Sequence, residues 1–248
     1  MDNAMMIGLS RQMTLRRAMD VVANNIANAN TAGFKVEHLL HEAQPADTAT
    51  HTDGPSDIQF ATTWGMGRDF SQGDIELTNR LYDMAIEGEG FFGVETAGGV
   101  QYTRDGRFRL DEIGQLVTAD GSPVLDADTR APIVLDPSVQ DLRIVGGGQI
   151  LENGNPVGRI GVFEIEDRAR LSKAGTGRFE YPLQPGEAEP LAMFEPVVRQ
   201  GYVEASNVSS ITELTDMMAV MRSYQSVSKF LKEAEDLQKR SIERLGKA

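Results

Sequence analysis

The sequence predicts an α+β protein in which long helices at the two chain ends bracket a mainly antiparallel β domain. Each end carries an apolar stripe at helical spacing, while the residues between them read as short strands and turns. The predicted segments are a helix of the assembly core (1–35), an extended connector (36–72), a β-rich outer domain (73–204) and a long C-terminal helix of the assembly core (205–248). We expect these helices to pack together and with neighbouring subunits.

The N-terminal helix is predicted from about residue 3 to residue 29. Its apolar residues step by four and three positions, at Leu15, Met19, Val22, Ile26 and Ala29. Turn residues from Asn30 to Gly33 should end it. Asparagine is a weak helix former, and three of them lie in the last turns, Asn24, Asn25 and Asn28. They indicate either amide hydrogen bonds between subunits or a fraying helix end.

The C-terminal helix is predicted to run from Ser210 to Leu245, where the sequence has no proline and, before Gly246, no glycine. At about 1.5 Å per residue it would be roughly 54 Å long. Its apolar stripe comprises Ile211, Leu214, Met218, Met221, Tyr224, Val227, Leu231, Ala234 and Leu237. Because extra three-residue steps near Tyr224 interrupt a strict heptad, we expect packing against several neighbours rather than a regular two-stranded coiled coil.

The middle of the chain has the pattern of an antiparallel sandwich or irregular barrel. Residues 36–72 lack periodicity and read as an extended connector or long loop. Alternating residues flank Asp105-Gly106 and again Asp120-Gly121, so each pair predicts a hairpin turn. Further strands are predicted at 142–145, 149–151, 159–165, 179–181 and 197–203.

Composition and charge restrict the class of function. The net charge is −13, and it divides into +2 for residues 1–36, −16 for 37–208 and +1 for 209–248. This balance argues against nucleic acid as a partner. We also expect no membrane insertion and no cleaved signal peptide, because no long apolar run is present. The absence of cysteine excludes disulfides.

Three residue groups could carry chemistry, and each has a simpler interpretation. His38, His41 and His51, with Glu37 and Glu42 nearby, suggest a metal site but lack standard zinc spacing, which favours a solvated loop. Gly146-Gly147-Gly148 is typical of a turn between strands rather than a phosphate loop, since no lysine follows.

The third group is two carboxylate pairs, Glu164 with Glu166 and Asp126 with Asp128. Such pairs arise by chance in a chain with 37 acidic residues. No nucleophile and base accompany them, so we predict no catalytic, metal or cofactor site.

Four strings resemble the bacterial flagellar rod and hook proteins, in the order of that family and over essentially the whole chain. They span residues 24–35 (NNIANANTAGFK), 88–92 (GEGFF), 102–108 (YTRDGRF) and 201–208 (GYVEASNV). Residues 1–10 look more like a proximal than a distal rod protein. Ala32 departs from the threonine usual in the family.

The resemblance implies a structural subunit of the periplasmic rod of the flagellar basal body, not an enzyme, and no cofactor. Implied partners are copies of itself, other proximal and distal rod proteins, and the flagellar type III export apparatus. The expected subunit interface comprises Leu15, Met19, Val22, Asn25, Ile26, Asn28, Phe34, Ile211, Leu214, Met218, Met221, Tyr224 and Leu231.

Two alternatives to a proximal rod protein remain at this stage. One is a distal rod subunit of the same family. The other is a secreted carbohydrate hydrolase or a scaffold with a helical oligomerisation stalk. Under the rod hypothesis, the terminal helices fold fully only on assembly, since an isolated helix is marginal in water.

Overall fold

The computed structural model of the protein describes residues 2–46, 58–139, 141–175 and 177–245. The chain forms two compact units, which we call the helical unit (residues 1–27, 37–69 and 209–248) and the β unit (residues 28–36 and 70–208). The helical unit contains α1 (Asp2–Ala27), β1 (Glu37–Ala46), β2 (Ile58–Arg68) and α2 (Ser210–Leu245). The predicted terminal helices and the antiparallel strands are thereby confirmed.

The strands of the β unit are mostly short. Their bounds are β3 (Ile75–Leu77), β4 (Met84–Glu87), β5 (Phe91–Thr96), β6 (Gly99–Thr103), β7 (Arg109–Leu110), β8 (Leu116–Val117), β9 (Leu142–Val145), β10 (Gln149–Glu152), β11 (Asn155–Arg159), β12 (Val162–Phe163), β13 (Ser172–Gly175), β14 (Arg178–Glu180), β15 (Val197–Gln200) and β16 (Tyr202–Glu204).

In the helical unit, α1 and α2 pack antiparallel along a seam of regular heptad spacing. Asn25 near the end of α1 contacts Glu213 at the start of α2, and Gly8 lies against Leu231 near the other end. The seam of α2 consists of buried or half-buried residues that alternate four- and three-residue steps, Glu213, Met217, Val220, Tyr224, Val227, Leu231 and Ala234. This spacing is that of a coiled-coil seam.

The stripe expected from the sequence therefore combines two faces of α2. Tyr224 and Leu231 belong to the seam, whereas Ile211, Leu214, Met218 and Met221 are exposed. The change of face accounts for the extra three-residue steps near Tyr224. The expectation that α2 lacks a regular heptad was wrong for the seam, and Met217 and Val220 were not recognised as its members.

The long loop considered for residues 36–72 is wrong for the part that the structure describes. β1 and β2 form an antiparallel hairpin in which Glu37 pairs with Arg68 and Ala46 with Ile58. The sequence did not reveal it because the ladder contains a bulge after Leu40 and a proline, Pro45, which disturb alternation. Residues 47–57 of the predicted connector lie outside the described residues, as do residues 246–248 of the predicted C-terminal segment.

In the β unit, a five-stranded antiparallel sheet in the order β12-β5-β6-β14-β13 lies between two apolar clusters. Successive side chains of β5 point to opposite faces, so Phe91 enters one cluster and Phe92 the other. Gly93 follows, with the Phe163 ring so close that a Cβ would meet it at 2.3 Å. The Phe-Phe pair thus joins both halves of the core.

The hairpin predicted around Asp105-Gly106 is wrong. β6 pairs with β5 and β14, and β7 pairs with β8, so the residues on either side of this turn enter different sheets. Gly106 instead lies against β4, where its carbonyl accepts a hydrogen bond from the Met84 N–H (2.9 Å). A turn sequence sets the local chain reversal but not which strands pair afterwards.

The other two predicted turns are confirmed. Thr118 and Ser122 close the Asp120-Gly121 turn through a backbone hydrogen bond of 2.9 Å. The three glycines at 146–148 connect β9 to its antiparallel partner β10.

The strand predicted at 197–203 is divided at Gly201, which has φ +79°, into β15 and β16. That division directs β16 to β3 and leaves β15 paired with β4.

Gly33→Ala should destabilise the β unit. Gly33 has φ +67°, and a Cβ there would lie 2.4 Å from backbone atoms of Arg104 and Asp105. The left-handed backbone alone costs about 1–3 kcal/mol for alanine, and the collision adds to it. Urea unfolding would measure the loss. Gly186→Ala is the matched control, since Gly186 has φ +88° with open space around it; equal losses in the two variants would contradict the proposed collision.

Acid should remove a stabilising contribution from Asp120. Burial raises the pKa of Asp120, but hydrogen bonds from Arg178, Thr118 and Ser122 outweigh it and lower the pKa to about 2. A lowered folded-state pKa stabilises the fold above the ordinary value of about 4, and this contribution is lost between about pH 4 and pH 2.

Asp120→Asn should therefore lower the free energy of unfolding at about pH 6 by up to about 1 kcal/mol, because the pair is partly exposed. The difference from wild type should vanish near pH 2. Urea unfolding across this pH range measures it, with Asp141→Asn as a control at the exposed Arg143 pair. A difference that does not change with pH would exclude the ionised form of Asp120 as its source.

Candidate assembly surface and ion cluster

One asparagine connects three elements of the helical unit. The Asn25 side chain pairs with the backbone of Glu37, donating to its carbonyl (2.9 Å) and accepting from its N–H (3.1 Å). Its Nδ2 also donates to the Glu213 carboxylate (3.1 Å), so α1, β1 and α2 meet at this residue. Arg68 of β2 donates to the side chain of the same Glu37, at Oε1 (2.8 Å).

Asn25 is not part of a fraying helix end, because it is 1% exposed and bonds to Glu37 and Glu213. The alternative expected for the asparagines, hydrogen bonds between subunits, stays a prediction. Asn28 is half-buried and accepts a hydrogen bond from the Thr31 hydroxyl (3.2 Å) in the turn after α1.

Three of the expected interface residues are buried inside the subunit. Leu15 and Asn25 lie in the helical unit, at 5% and 1% exposure. Phe34 lies in the β unit at 2% exposure, with the Lys173 ammonium 5.4 Å from its ring centre. These three side chains are buried within the described chain. Their part in a subunit interface stays a prediction.

The remaining expected residues divide between half-buried seam positions and an exposed face. Met19, Val22, Ile26, Tyr224 and Leu231 are half-buried. We define the α2 stripe as Ile211, Leu214, Met218 and Met221, whose exposed fractions range from 47% to 80%. Sequence reasoning did not include a second exposed apolar group on α1, formed by Met6, Leu9 and Met13. Their three- and four-residue spacing was visible, but only the structure shows that they lie outside the seam.

The β unit contains a buried ion cluster, which we define as Lys35, Arg104 and Glu204. The side chains of Lys35 and Glu204 are completely buried, and their ion pair measures 2.5 Å. Arg104 Nη1 donates to the second oxygen of the same carboxylate at 3.0 Å. One carboxylate thus bridges two cations that lie 69 residues apart in sequence.

Backbone groups complete the ion cluster. Lys35 also donates to the Ser71 carbonyl (2.6 Å), and Arg104 Nη2 donates to the Gly88 carbonyl (2.7 Å). The Gly73 N–H donates to Glu204 Oε1 (3.1 Å). The guanidinium of Arg104 also lies 5.2 Å from the centre of the Phe91 ring.

Arg104 stays charged in this setting. Burial lowers the pKa of its guanidinium, while the charge of Glu204 acts in the opposite direction. Arginine starts so far above neutral pH that it remains protonated. Its Nε–H, however, has no acceptor among the described residues. The Glu204 carboxylate thus contacts two buried cations.

All four strings that carried the family resemblance meet at the ion cluster. Lys35 comes from the first, the Gly88 carbonyl and Phe91 from the second, Arg104 from the third and Glu204 from the fourth. The sequence showed these strings only as separate matches. Charged residues inside otherwise apolar or glycine-rich strings were the one signal that could have indicated a common buried site.

The residues considered for chemistry have structural roles. Burial raises the pKa of Asp126, but hydrogen bonds from the N–H groups of Arg159, Thr129 and Asp128 outweigh it and lower the pKa. Asp128 forms an ion pair with Arg159 at 2.6 Å. Both lie in or beside an open cleft of about 810 Å³ between Pro156 and Val197. A carboxylate held by such donors is poorly suited to proton transfer.

The other predicted carboxylate pair belongs to the β unit, and His38 belongs to the helical unit. Glu164 and Glu166 border a depression of about 310 Å³ with Glu187 and Glu189. His38 lies on β1; His51 and the side chains of His41 and Glu42 lie outside the described residues. Among the residues that are described, no three histidine or carboxylate groups are placed to hold a metal ion. Neither helix in the described ranges is apolar over the length that a membrane crossing needs.

Three family profiles match the chain in sequence order. They are "Flagella basal body rod protein" at residues 5–35, "Flagellar hook protein FlgE/F/G D1 domain" at 85–151 and "Flagellar basal body rod FlgEFG protein C-terminal" at 199–244. The second lies within the β unit, and the other two include most of α1 and α2.

Similarity to individual proteins extends over the whole chain. The flagellar basal-body rod protein FlgF of Caulobacter vibrioides is 42% identical, covering 100% of this chain and 99% of the relative. FlgF of Mesorhizobium japonicum is 31% identical, covering 99% of each. The rod protein FlgG of Caulobacter vibrioides is also 31% identical but covers 88% of this chain and 90% of its own. These relatives are structural rod proteins rather than enzymes, and the chain belongs to the family of flagellar basal-body rod proteins, among its FlgF members.

Proposed function

We propose that this protein is a structural subunit of the proximal flagellar rod, which polymerises helically through its terminal helices and transmits torque for motility. The observation that carries the proposal is the exposed α2 stripe in a chain of the rod family. We take FlgF as the proximal and FlgG as the distal rod protein of the family. The proximal position is favoured because this chain is 42% identical to FlgF of Caulobacter vibrioides and 31% identical to FlgG of the same organism.

The α2 stripe has the character of a surface that another protein covers. Full burial of an Ile, Leu or Met side chain contributes about 1.5–3 kcal/mol relative to exposure, so four on one face represent a substantial driving force. Met6, Leu9 and Met13 form a second exposed apolar group, on α1. Two separate apolar faces suit a subunit that has more than one neighbour.

We further propose that the neighbours are copies of this chain and other rod proteins, arranged head to tail. Such contacts join different surfaces of the two partners and build an open polymer rather than a closed dimer. The location would be the periplasmic part of the basal body, reached through the flagellar export apparatus without cleavage of a signal peptide. The helical unit would then be the assembly core, with its apolar faces covered only in the rod.

Met218→Asp should block incorporation while the free subunit remains folded. The change places a charge on the exposed α2 stripe, where it stays solvated in the monomer but is desolvated in an assembled rod. We expect the amount of subunit in isolated basal bodies to fall about tenfold or more, since 1.4 kcal/mol already corresponds to tenfold. Quantitative immunoblotting of basal bodies, alongside swimming assays, measures this.

Ser223→Asp is the matched control for that variant. Ser223 is exposed on α2 but lies roughly 140° around the helix from Met218. Normal incorporation of the control with loss of the Met218 variant is the expected result. Normal motility with Met218→Asp would show that the α2 stripe is not an assembly surface.

Met221→Pro tests the helix itself. Proline in a helix interior costs about 3 kcal/mol, so α2 should break about one third of the way along while the β unit stays folded. We expect loss of motility together with unchanged hydrogen-exchange protection of β5 and β6. A motile strain would contradict the requirement for a continuous α2.

A further inference from the structure

Glu204 contacts the segment Asn28–Val36 through both its side chain and its backbone. This segment is the first part of the β unit in the sequence. The Glu204 carboxylate pairs with Lys35, and its backbone carbonyl accepts a hydrogen bond from the Gly33 N–H (2.8 Å). Both the main chain and the side chain of one residue therefore hold this segment. Glu204 is itself completely buried.

Asn207 adds a second connection between the same two parts of the chain. Its Oδ1 accepts from the Val36 N–H (2.8 Å), and its own N–H donates to the Phe34 carbonyl (3.4 Å). Its Nδ2 donates to the Ser71 carbonyl (3.2 Å), the carbonyl that also accepts from Lys35. Glu204 thus binds Gly33 and Lys35, and Asn207 binds Phe34 and Val36, all in one short segment.

Stability alone does not account for a buried ion cluster. Apolar residues of similar volume are often as stabilising as a buried ion pair, whereas removal of one partner leaves an uncompensated charge and costs about 3–5 kcal/mol. Here the cost falls on two cations at once, because Glu204 is the carboxylate that both Lys35 and Arg104 contact. Docking of Lys35 without Glu204 would bury an ammonium beside a guanidinium.

We infer that Glu204 is a clasp that makes the ordering of Asn28–Val36 conditional on the docking of residues 202–208. Before β16 pairs with β3, the positions for Lys35 and Arg104 lack the charge of Glu204 that both contact, and Asn28–Val36 stays detached. Once Glu204 arrives, both segments become ordered in one step. The segment that follows α1 and the segment that precedes α2 therefore fold together, although they are about 170 residues apart in sequence.

Hydrogen exchange on the purified full chain tests the clasp. In Glu204→Gln the carboxylate charge is lost with little change of size. We expect exchange at the Gly33 and Val36 amides to become at least tenfold faster, while the amides of Phe92 and Val94 in β5 keep their protection. Exchange at Gly33 and Val36 that matches wild type would overturn the inference.

Glu76→Gln is the matched control. Glu76 is exposed on β3 and pairs with Val203, the residue next to the clasp, so the same charge is removed from the same ladder but from solvent. We expect wild-type exchange at Gly33 and Val36. If this control loosened Asn28–Val36 as much as Glu204→Gln does, a general effect of charge on the ladder would replace the clasp.

Lys35→Met decides the case in which Glu204→Gln unfolds the whole β unit. This variant leaves the Arg104–Glu204 pair intact and removes only the ion pair between Glu204 and the segment Asn28–Val36. Fast exchange confined to Asn28–Val36 supports the clasp; protection of that segment equal to wild type overturns it. In the double variant, Gly33 should exchange no faster than in Glu204→Gln alone, and additive effects of the two substitutions would also overturn the clasp.

The exchange experiment does not depend on assembly, so its outcome is separate from that of the proposed function. If Glu204→Gln speeds exchange as expected but Met218→Asp is incorporated normally, only the assembly surface is refuted. Loss of the clasp with confirmed assembly defects would refute this inference alone.

Discussion

The compensation of buried charge is the constraint on which the β unit depends. A single carboxylate, Glu204, must lie within hydrogen-bond distance of both Lys35 and Arg104, because each buried cation needs a counter-charge. That requirement fixes the positions of four separate chain segments relative to one another. Apolar contacts tolerate small shifts, whereas hydrogen bonds to a buried ion weaken steeply with distance and angle. The cluster therefore selects one register for segments that hydrophobic packing alone would hold less specifically.

Glycines allow the segments to come close enough for this cluster to form. A Cβ at Gly73 would lie 2.1 Å from the Ala205 carbonyl oxygen, and one at Gly106 would lie 1.6 Å from that of Met84. Gly33 meets the backbone beside Arg104 in the same way. The ion cluster and these approaches belong to one packing arrangement, since a side chain at Gly33 or Gly73 would press on the backbone at Arg104 or next to Glu204. Gly33 and Gly106, which lie in the family strings, thus have a physical reason beyond turn formation.

Sequence reasoning succeeded where the decisive interactions are local and failed where they are not. The helices followed from apolar spacing over neighbouring turns, and the Asp120-Gly121 turn from residues adjacent in sequence. Sheet order did not follow, because Asp105-Gly106 reverses the chain without determining that β6 pairs with β5. The same limit applies to Asn25 and Phe34, whose partners Glu213 and Lys173 are far away in sequence. Charge clusters share this limit, since an isolated Lys35 looks like any surface lysine.

The two units satisfy their side chains in different ways, and this difference favours assembly through the helices. In the β unit, both faces of the central sheet are covered by apolar clusters, and the buried cations are paired. In the helical unit, the heptad seam uses one face of α2 and leaves the α2 stripe on another, with its four residues continuing over three helical turns. Scattered exposed apolar residues are common on protein surfaces, but a periodic row on a regular helix is a surface that a second helix can match. Since α1 already occupies the seam, the proposed function assigns the covering of this row to a helix of another subunit.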